Sequence, residues 1–266
     1  MRIMNNTKPD IHGKGIFLVV LLLAFLPMTL FAATSMTDQW AFLNHYTPFV
    51  HFVADVKNAE PVDKVDQSYQ AVLDSLPSSD LQEVNQLMMH SKANTILARY
   101  YTEIRPKRNN DAKNLLKEAN AILEKATALG VPESMALTQE ADIDSIWYLI
   151  SSMNISKGLN STKLTDKAWE LYPEEITVKV MMANRLLYAP AIGGGDTKRA
   201  LMMFLELMET AQGQMAPWDM FSVYSGIGMA CKKLGMDERA IQYLEVATQL
   251  YTGDSQIDEA LAGLRK

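Results

Sequence analysis

The stretch YSGIGMACKKLGMDERAIQYLEVA, residues 224–247, decides the fold. Tyr224, Ile227, Gly228 and Cys231 recur at helical spacing, and Gly235 marks the end of that helix. The chain then restarts with Ala240, Leu244 and Ala247. Positions i, i+4 and i+7 share one helical face. Small residues at the outer two let a neighbouring helix approach closely, and the large one between them fills the space. The stretch therefore predicts a helix–turn–helix unit.

The same face recurs upstream as Ala119/Leu123/Ala126, Ser161/Thr165/Ala168 and Ala200/Phe204/Leu207. A period near forty residues in helical pairs predicts a stack. Working outward, the spacing predicts helices over 111–129, 133–153, 162–172, 174–188, 197–210, 218–234 and 237–251. Ser79 with Gln82 has the form of a capping box and predicts a long helix in which Ile96, Leu97, Tyr100, Tyr101 and Ile104 face inward. Nearer the N-terminus, Trp40, Leu43, Tyr46, Phe49, Phe52, Val53 and Val56 recur at helical spacing. Thr47 followed by Pro48 reads there as an N-cap and first helical residue. Pro61 opens a second helix through Tyr69, Val72 and Leu76. Ile257, Leu261 and Leu264 predict a short terminal helix.

Composition agrees. Of 266 residues, 48% are hydrophobic and 21% charged, which fits an ordered chain, and no alternating strand pattern occurs. The fold class expected is all-α: a right-handed solenoid of antiparallel helix pairs. It would hold about four repeats, an N-terminal helical pair and a C-terminal capping helix. The segments expected are 1–33, 34–78 for the N-terminal pair, 79–252 for the repeats and 253–266 for the cap.

Residues 1–33 are expected to stand outside the fold. Arg2, Lys8 and Lys14 precede an apolar run over 16–33, followed by small residues at Ala32, Ala33 and Ser35. That order reads as an export signal and predicts a periplasmic protein. The alternative is an uncleaved anchor holding the protein to the inner membrane by residues 16–33. Removing Arg2, Lys8, Lys14 and Asp10 from 25 basic and 31 acidic side chains takes the net charge from −6 to −8. An acidic body has no electrostatic reason to bind nucleic acid, and contact with a membrane is expected only through the N-terminal segment. Cys231 is the single cysteine, so no intramolecular disulfide forms. Asn154 and Asn160 head sequons that matter only in a glycosylating host.

The small–large–small register resembles the tetratricopeptide repeat. Tyr224 takes the large first-helix position, Ile227 and Gly228 stand for its Leu-Gly pair, and Cys231 sits where an aromatic is usual. Gly235, Ala240, Leu244 and Ala247 complete the unit, with Thr252 in place of the terminal Pro. In the unit ending near Tyr172, Ala168 and Pro173 match the last Ala and Pro. A second likeness lies in Tyr188-Ala189-Pro190, then Gly193-Gly194-Gly195-Asp196, then Lys198 and Ala200. It is similar to the interrupted turn of exported bacterial helical-repeat proteins that partner TRAP-type transporters. That resemblance covers roughly residues 93–251 and implies a helical bundle with a groove or pore accepting an apolar ligand.

No motif carries catalysis, and no cofactor or metal is expected. The glycine turn at 193–195 lacks the order of a phosphate loop and follows no strand, so Asp196 reads as an N-cap after a tight reversal. His45 and His51 point to different sides of a helix, His90 is isolated and His12 lies in the export signal. Glu140 and Asp144 share a face without a third catalytic group. Cys231 reads as a buried thiol.

Tyr100, Tyr101, Trp147, Tyr148, Met181, Tyr188, Trp218 and Phe221 mostly lie on first helices; most of them are expected to be core, and the remainder are candidates to line an adaptable apolar groove. The structural positions expected are Gly228, Gly235, Ala240, Leu244, Ala247, Ala168, Pro173, Ala119, Ala126 and Ala200. The function expected is a non-enzymatic scaffold that binds a protein partner. The alternative is a small-ligand-binding accessory of a TRAP-type uptake system, taking an apolar ligand.

Overall fold

Ala119, Ala126, Ala200, Ala240 and Ala247 are fully buried, and Ala168 nearly so; these contacts set how the helices meet. The computed structural model describes residues 36–266. The expected export signal or anchor lies outside the described residues. Among the described residues the chain is all-α, with one isolated bridge between Thr37 and Glu175 and no strand. The helices are α1 (Thr47–Lys57), α2 (Val62–Ser75), α3 (Glu83–Glu103), α4 (Asn109–Ala128), α5 (Glu133–Ile150) and α6 (Ile155–Leu171). They continue as α7 (Ile176–Tyr188), α8 (Thr197–Thr210), α9 (Pro217–Lys233), α10 (Asp237–Leu250) and α11 (Ser255–Leu264).

Each of α3, α5, α7 and α9 packs chiefly on the helix that follows it, and each of these first helices also touches the next. In the α9–α10 pair, a Cβ added at Gly228 would lie 2.6 Å from Leu244 Cγ, so Gly228 receives the large residue of its own pair. Gly226, one half-turn away, receives Phe204 of α8, and a Cβ there would overlap the ring. Burying Leu244 and Phe204 contributes about 2–3 kcal/mol each. Gly235 closes α9 at φ +72°, a left-handed conformation suited to glycine.

The α7–α8 turn follows the sequence reading. Gly195 lies against the Ala189 carbonyl with no room for a side chain. Asp196 then caps α8 by accepting from the Arg199 amide at 3.0 Å.

Three local expectations fail. The Ser79–Gln82 capping box does not form. Leu76–Ser78 winds as a short 3-10 turn, which points the Ser79 hydroxyl back to donate to the Leu76 carbonyl at 2.7 Å. Thr47 is the first residue of α1 and Tyr46 its cap position. The α5–α6 turn comes early, because Asn154 Nδ2 donates to the Trp147 carbonyl at 2.8 Å and starts α6 at Ile155 rather than residue 162.

Polar groups tie the middle helices together. Gln139 Nε2 of α5 donates to the Ser91 and Thr95 hydroxyls of α3, both at 2.9 Å. Asp144, 1% exposed, accepts from Lys157 Nζ at 2.8 Å and Asn160 Nδ2 at 2.7 Å, fastening α5 to α6. At the far end, Asp254 caps α11, whose Ile257, Ala260 and Leu261 cover Phe221, Leu244, Ala247 and Tyr251.

Candidate functional site

The first helices do not present an open face along their whole length, because residues 36–60 run across them. The Thr37 amide donates to the Glu174 carbonyl at 2.9 Å, and the Ile176 amide donates to the Thr37 carbonyl at 2.8 Å, at the start of α7. Trp40 Nε1 donates to Thr138 Oγ1 of α5 at 3.2 Å, and Lys92 of α3 lies over the Trp40 ring. Phe49 of α1 meets Trp218 of α9 edge-on at 5.7 Å. Lys57 Nζ, at the end of α1, rests 5.0 Å above the Phe221 ring. The Gly253 amide donates to the Lys57 carbonyl at 3.1 Å, and the Thr252 amide to Asn58 Oδ1 at 3.0 Å. Tyr100 of α3 donates to the Glu60 carbonyl at 2.7 Å. The segment therefore touches α7, α5, α3 and α9 in turn. A short helix apolar on most of its faces belongs in a core, and Phe49, Phe52 and Val53 are the readable sign of this.

This placement sorts the eight groove candidates. Tyr100, Tyr101 and Phe221 are buried. Tyr101 donates to Asp66 Oδ1 at 2.6 Å beneath the Arg108 guanidinium, and Phe221 packs against Tyr251. Trp147, Met181 and Trp218 are half-buried. Tyr148 and Tyr188 are exposed, the first over Gly158 and the second beneath Lys233. The eight are thus divided among several surroundings. A shallow groove of about 460 Å³ lies elsewhere, between α1 and α2, lined by Thr47, His51, Ala54, Asp55, Lys64 and Ser68 among others.

Two features remain as candidate sites. The first is an apolar tip at the α5–α6 turn, where Tyr148, Leu149, Met153, Ile155 and Leu159 are all exposed, Met153 to 89%. Large apolar side chains clustered on a surface mark interaction sites more often than scattered ones do. The second is a set of charges where the end of α1 meets α3 and α9. Burial first, then Arg99, pushes Lys57 down to about 8, against Asp254, Glu103 and Asp219. Burial first, then Asp38, pushes Asp219 up to about 7; Asp142 adds to this, while Lys92 and Lys57 oppose it. Sequence reasoning passed over both residues. Asp219 looks like an ordinary acid in a first helical turn, and Lys57 like a cation at a helix end. Only the fold brings them together.

Among the described residues no group of three His, Cys, Asp or Glu could hold a metal ion, and Glu140, Asp144 and a histidine do not assemble into one. Burial holds His90 below its usual pKa, with Glu118 opposing, and raises the Cys231 thiol above its own. No described helix is long and apolar enough to cross a membrane. The chain matches no protein-family model, and no curated protein matches it in sequence.

Proposed function

We propose that this is an exported, non-enzymatic helical-repeat protein that serves as a protein–protein interaction scaffold. The described helices are read as a tetratricopeptide-like right-handed solenoid of four pairs, α3–α4 to α9–α10. Supporting that reading are the pairing order, the contact of each first helix with the next, and the buried small residues at 119, 200 and 240. Export to the periplasm rests on the basic-then-apolar order of residues 1–33.

The observation that carries the scaffold reading is the apolar tip of Tyr148, Leu149, Met153, Ile155 and Leu159. These side chains add nothing to the core, and leaving them in water is unfavourable unless something covers them. The test compares the wild type with a variant carrying Leu149→Ser, Met153→Ser, Ile155→Ser and Leu159→Ser. Both should melt alike and give the same helical circular dichroism. Cross-linking in the native host should trap a defined partner on the wild type and lose it on the variant. An identical cross-linked set on both overturns the reading.

A further inference from the structure

Ile192 is wholly exposed in the α7–α8 turn, and the residues about the base of that turn are rich in Lys and Arg. We propose that this end of the molecule docks on an anionic phospholipid surface. Ile192 enters the interface, and Lys198, Arg199, Lys232 and Lys233 face the headgroups. The surface belongs to the α7–α8 and α9–α10 pairs. It uses none of the side chains of the apolar tip and goes beyond the scaffold reading.

Contacts bring these groups to one place. The C-termini of α7 and α9 meet, because Lys233 Nζ donates to the Leu187 carbonyl and lies 5.4 Å above the Tyr188 ring. The turn then closes on itself. The Gly195 amide donates to the Pro190 carbonyl at 3.1 Å, and the Asp196 amide to the Leu186 carbonyl at 2.9 Å. Closing the base in this way leaves residues 191–194 projecting, and all four are exposed. Asp196 starts α8 at the same spot, so Lys198 and Arg199 stand in its first turn. Met202, 70% exposed, lies one turn beyond them on the same face. Lys232, next to Lys233 at the end of α9, is also exposed.

Charge is arranged to match. Lys198, Arg199 and Lys232 have no side-chain hydrogen bond or ion pair among the described residues. The acids beside them have other work: Asp196 caps α8, and Asp166 pairs with Arg185 at 3.2 Å. Asp237 and Glu238 lie in the first turn of α10, where the helix N-terminus favours them. Lys179 near the start of α7 pairs with Glu206 near the end of α8 at 2.6 Å, which marks the opposite end of the same pair. That end is acidic, with Glu206 and Glu209 in α8 and Asp219 opening α9. The net charge of −6 therefore hides a basic end. A lipid surface accounts for both halves of the patch, since headgroup phosphates suit the cations and the acyl boundary suits Ile192 and Met202. A nucleic acid would meet the cations and leave Ile192 in water. An apolar protein groove would cover Ile192 and leave the cations unmatched.

The test uses the full chain carrying Ile192→Cys, labelled with a polarity-sensitive fluorophore. The wild type, whose one thiol is the buried Cys231, is the labelling control. Vesicles are phosphatidylcholine alone or with about a quarter of phosphatidylglycerol. Emission should shift to the blue on the anionic vesicles and return in ~0.5 M salt. The probe reports docking at this surface, so attachment through residues 16–33, common to every variant, does not mimic it. Each Lys or Arg near an anionic surface strengthens attachment about 5-fold. Adding Lys198→Gln, Arg199→Gln and Lys232→Gln should therefore raise the lipid concentration at half-shift at least ~10-fold, with melting unchanged. An equal shift on both kinds of vesicle, or an unaltered response of the triple variant, overturns the proposal. No shift on either overturns it too, and a photo-cross-linker at position 192 that then traps an acidic protein would assign the surface to that protein instead.

Discussion

The α9–α10 pair and the α5–α6 pair use the same register for different ends. In α10, Ala240, Leu244 and Ala247 are all fully buried, and both glycines of α9 accept a large side chain. In α6 the corresponding positions are Ser161, Thr165 and Ala168. Their hydroxyls bond backbone carbonyls, Ser161 to Ala141 at 2.8 Å and Thr165 to Ser161 at 2.9 Å. Two large apolar side chains of α6, Ile155 and Leu159, face water, while Leu164, Ala168 and Trp169 pack in a small cluster with Leu137 of α5. One pair is fastened by close apolar packing. The other adds hydrogen bonds and one buried carboxylate to a smaller apolar cluster, and leaves Ile155 and Leu159 exposed.

The sharpest way to break this contrast is truncation. Phe204→Ala, which empties the space over Gly226, should destabilise by about 3–5 kcal/mol in urea denaturation. Leu159→Ala should change stability by less than about 0.5 kcal/mol. Comparable losses from both would mean that Leu159 is packed after all. Next in size, Asp144→Ala removes the acceptor shared by Lys157 and Asn160 and should cost about 1.5–3 kcal/mol. Amide exchange should localise that loss to α5 and α6. Gly226→Ala forces a methyl against the Phe204 ring and should cost about 1–3 kcal/mol. Combining it with Phe204→Leu should recover part of the loss, and strict additivity in the double-mutant cycle would refute the contact.

A separate effect is on pH dependence. Between the ordinary carboxylate value and about 7, folded Asp219 keeps a proton that the unfolded chain has lost, so stability falls as pH rises through that range. Between about 8 and the ordinary lysine value, folded Lys57 has lost a proton that the unfolded chain keeps, so stability rises with pH there. Asp219→Asn should flatten the first slope and Lys57→Met the second, read from urea midpoints across pH.

Much of the helical framework was legible because short-range rules govern it. Ala240, Leu244 and Ala247 announce their face by spacing alone, and Asp196 after three glycines announces a cap. The Ser79 cap was misread because Pro77 tightens the preceding turn and supplies a nearer acceptor. The run from Trp40 to Val56 revealed a helix but not its destination, since periodicity tells which face is apolar and never which helix will cover it. For the same reason the inward faces of Tyr100 and Tyr101 were legible, but not that Asp66 and the Glu60 carbonyl would receive their hydroxyls. The shifted charges of Lys57 and Asp219 were invisible, because burial is a property of three-dimensional surroundings.

The placement of α1 against both α3 and α9 has a kinetic consequence. An open stack of repeats needs only neighbour contacts, so it can begin folding at any unit and stop anywhere. Here Thr252 bonds Asn58 across 194 residues of chain, and Phe49 awaits Trp218. Helix α1, the first of the described helices to be synthesised, cannot find its seat until the α9–α10 pair has been made. Folding should therefore be slower and more nearly all-or-none than the local helix content suggests. A chain truncated before α9 should leave Phe49 uncovered and tend to aggregate.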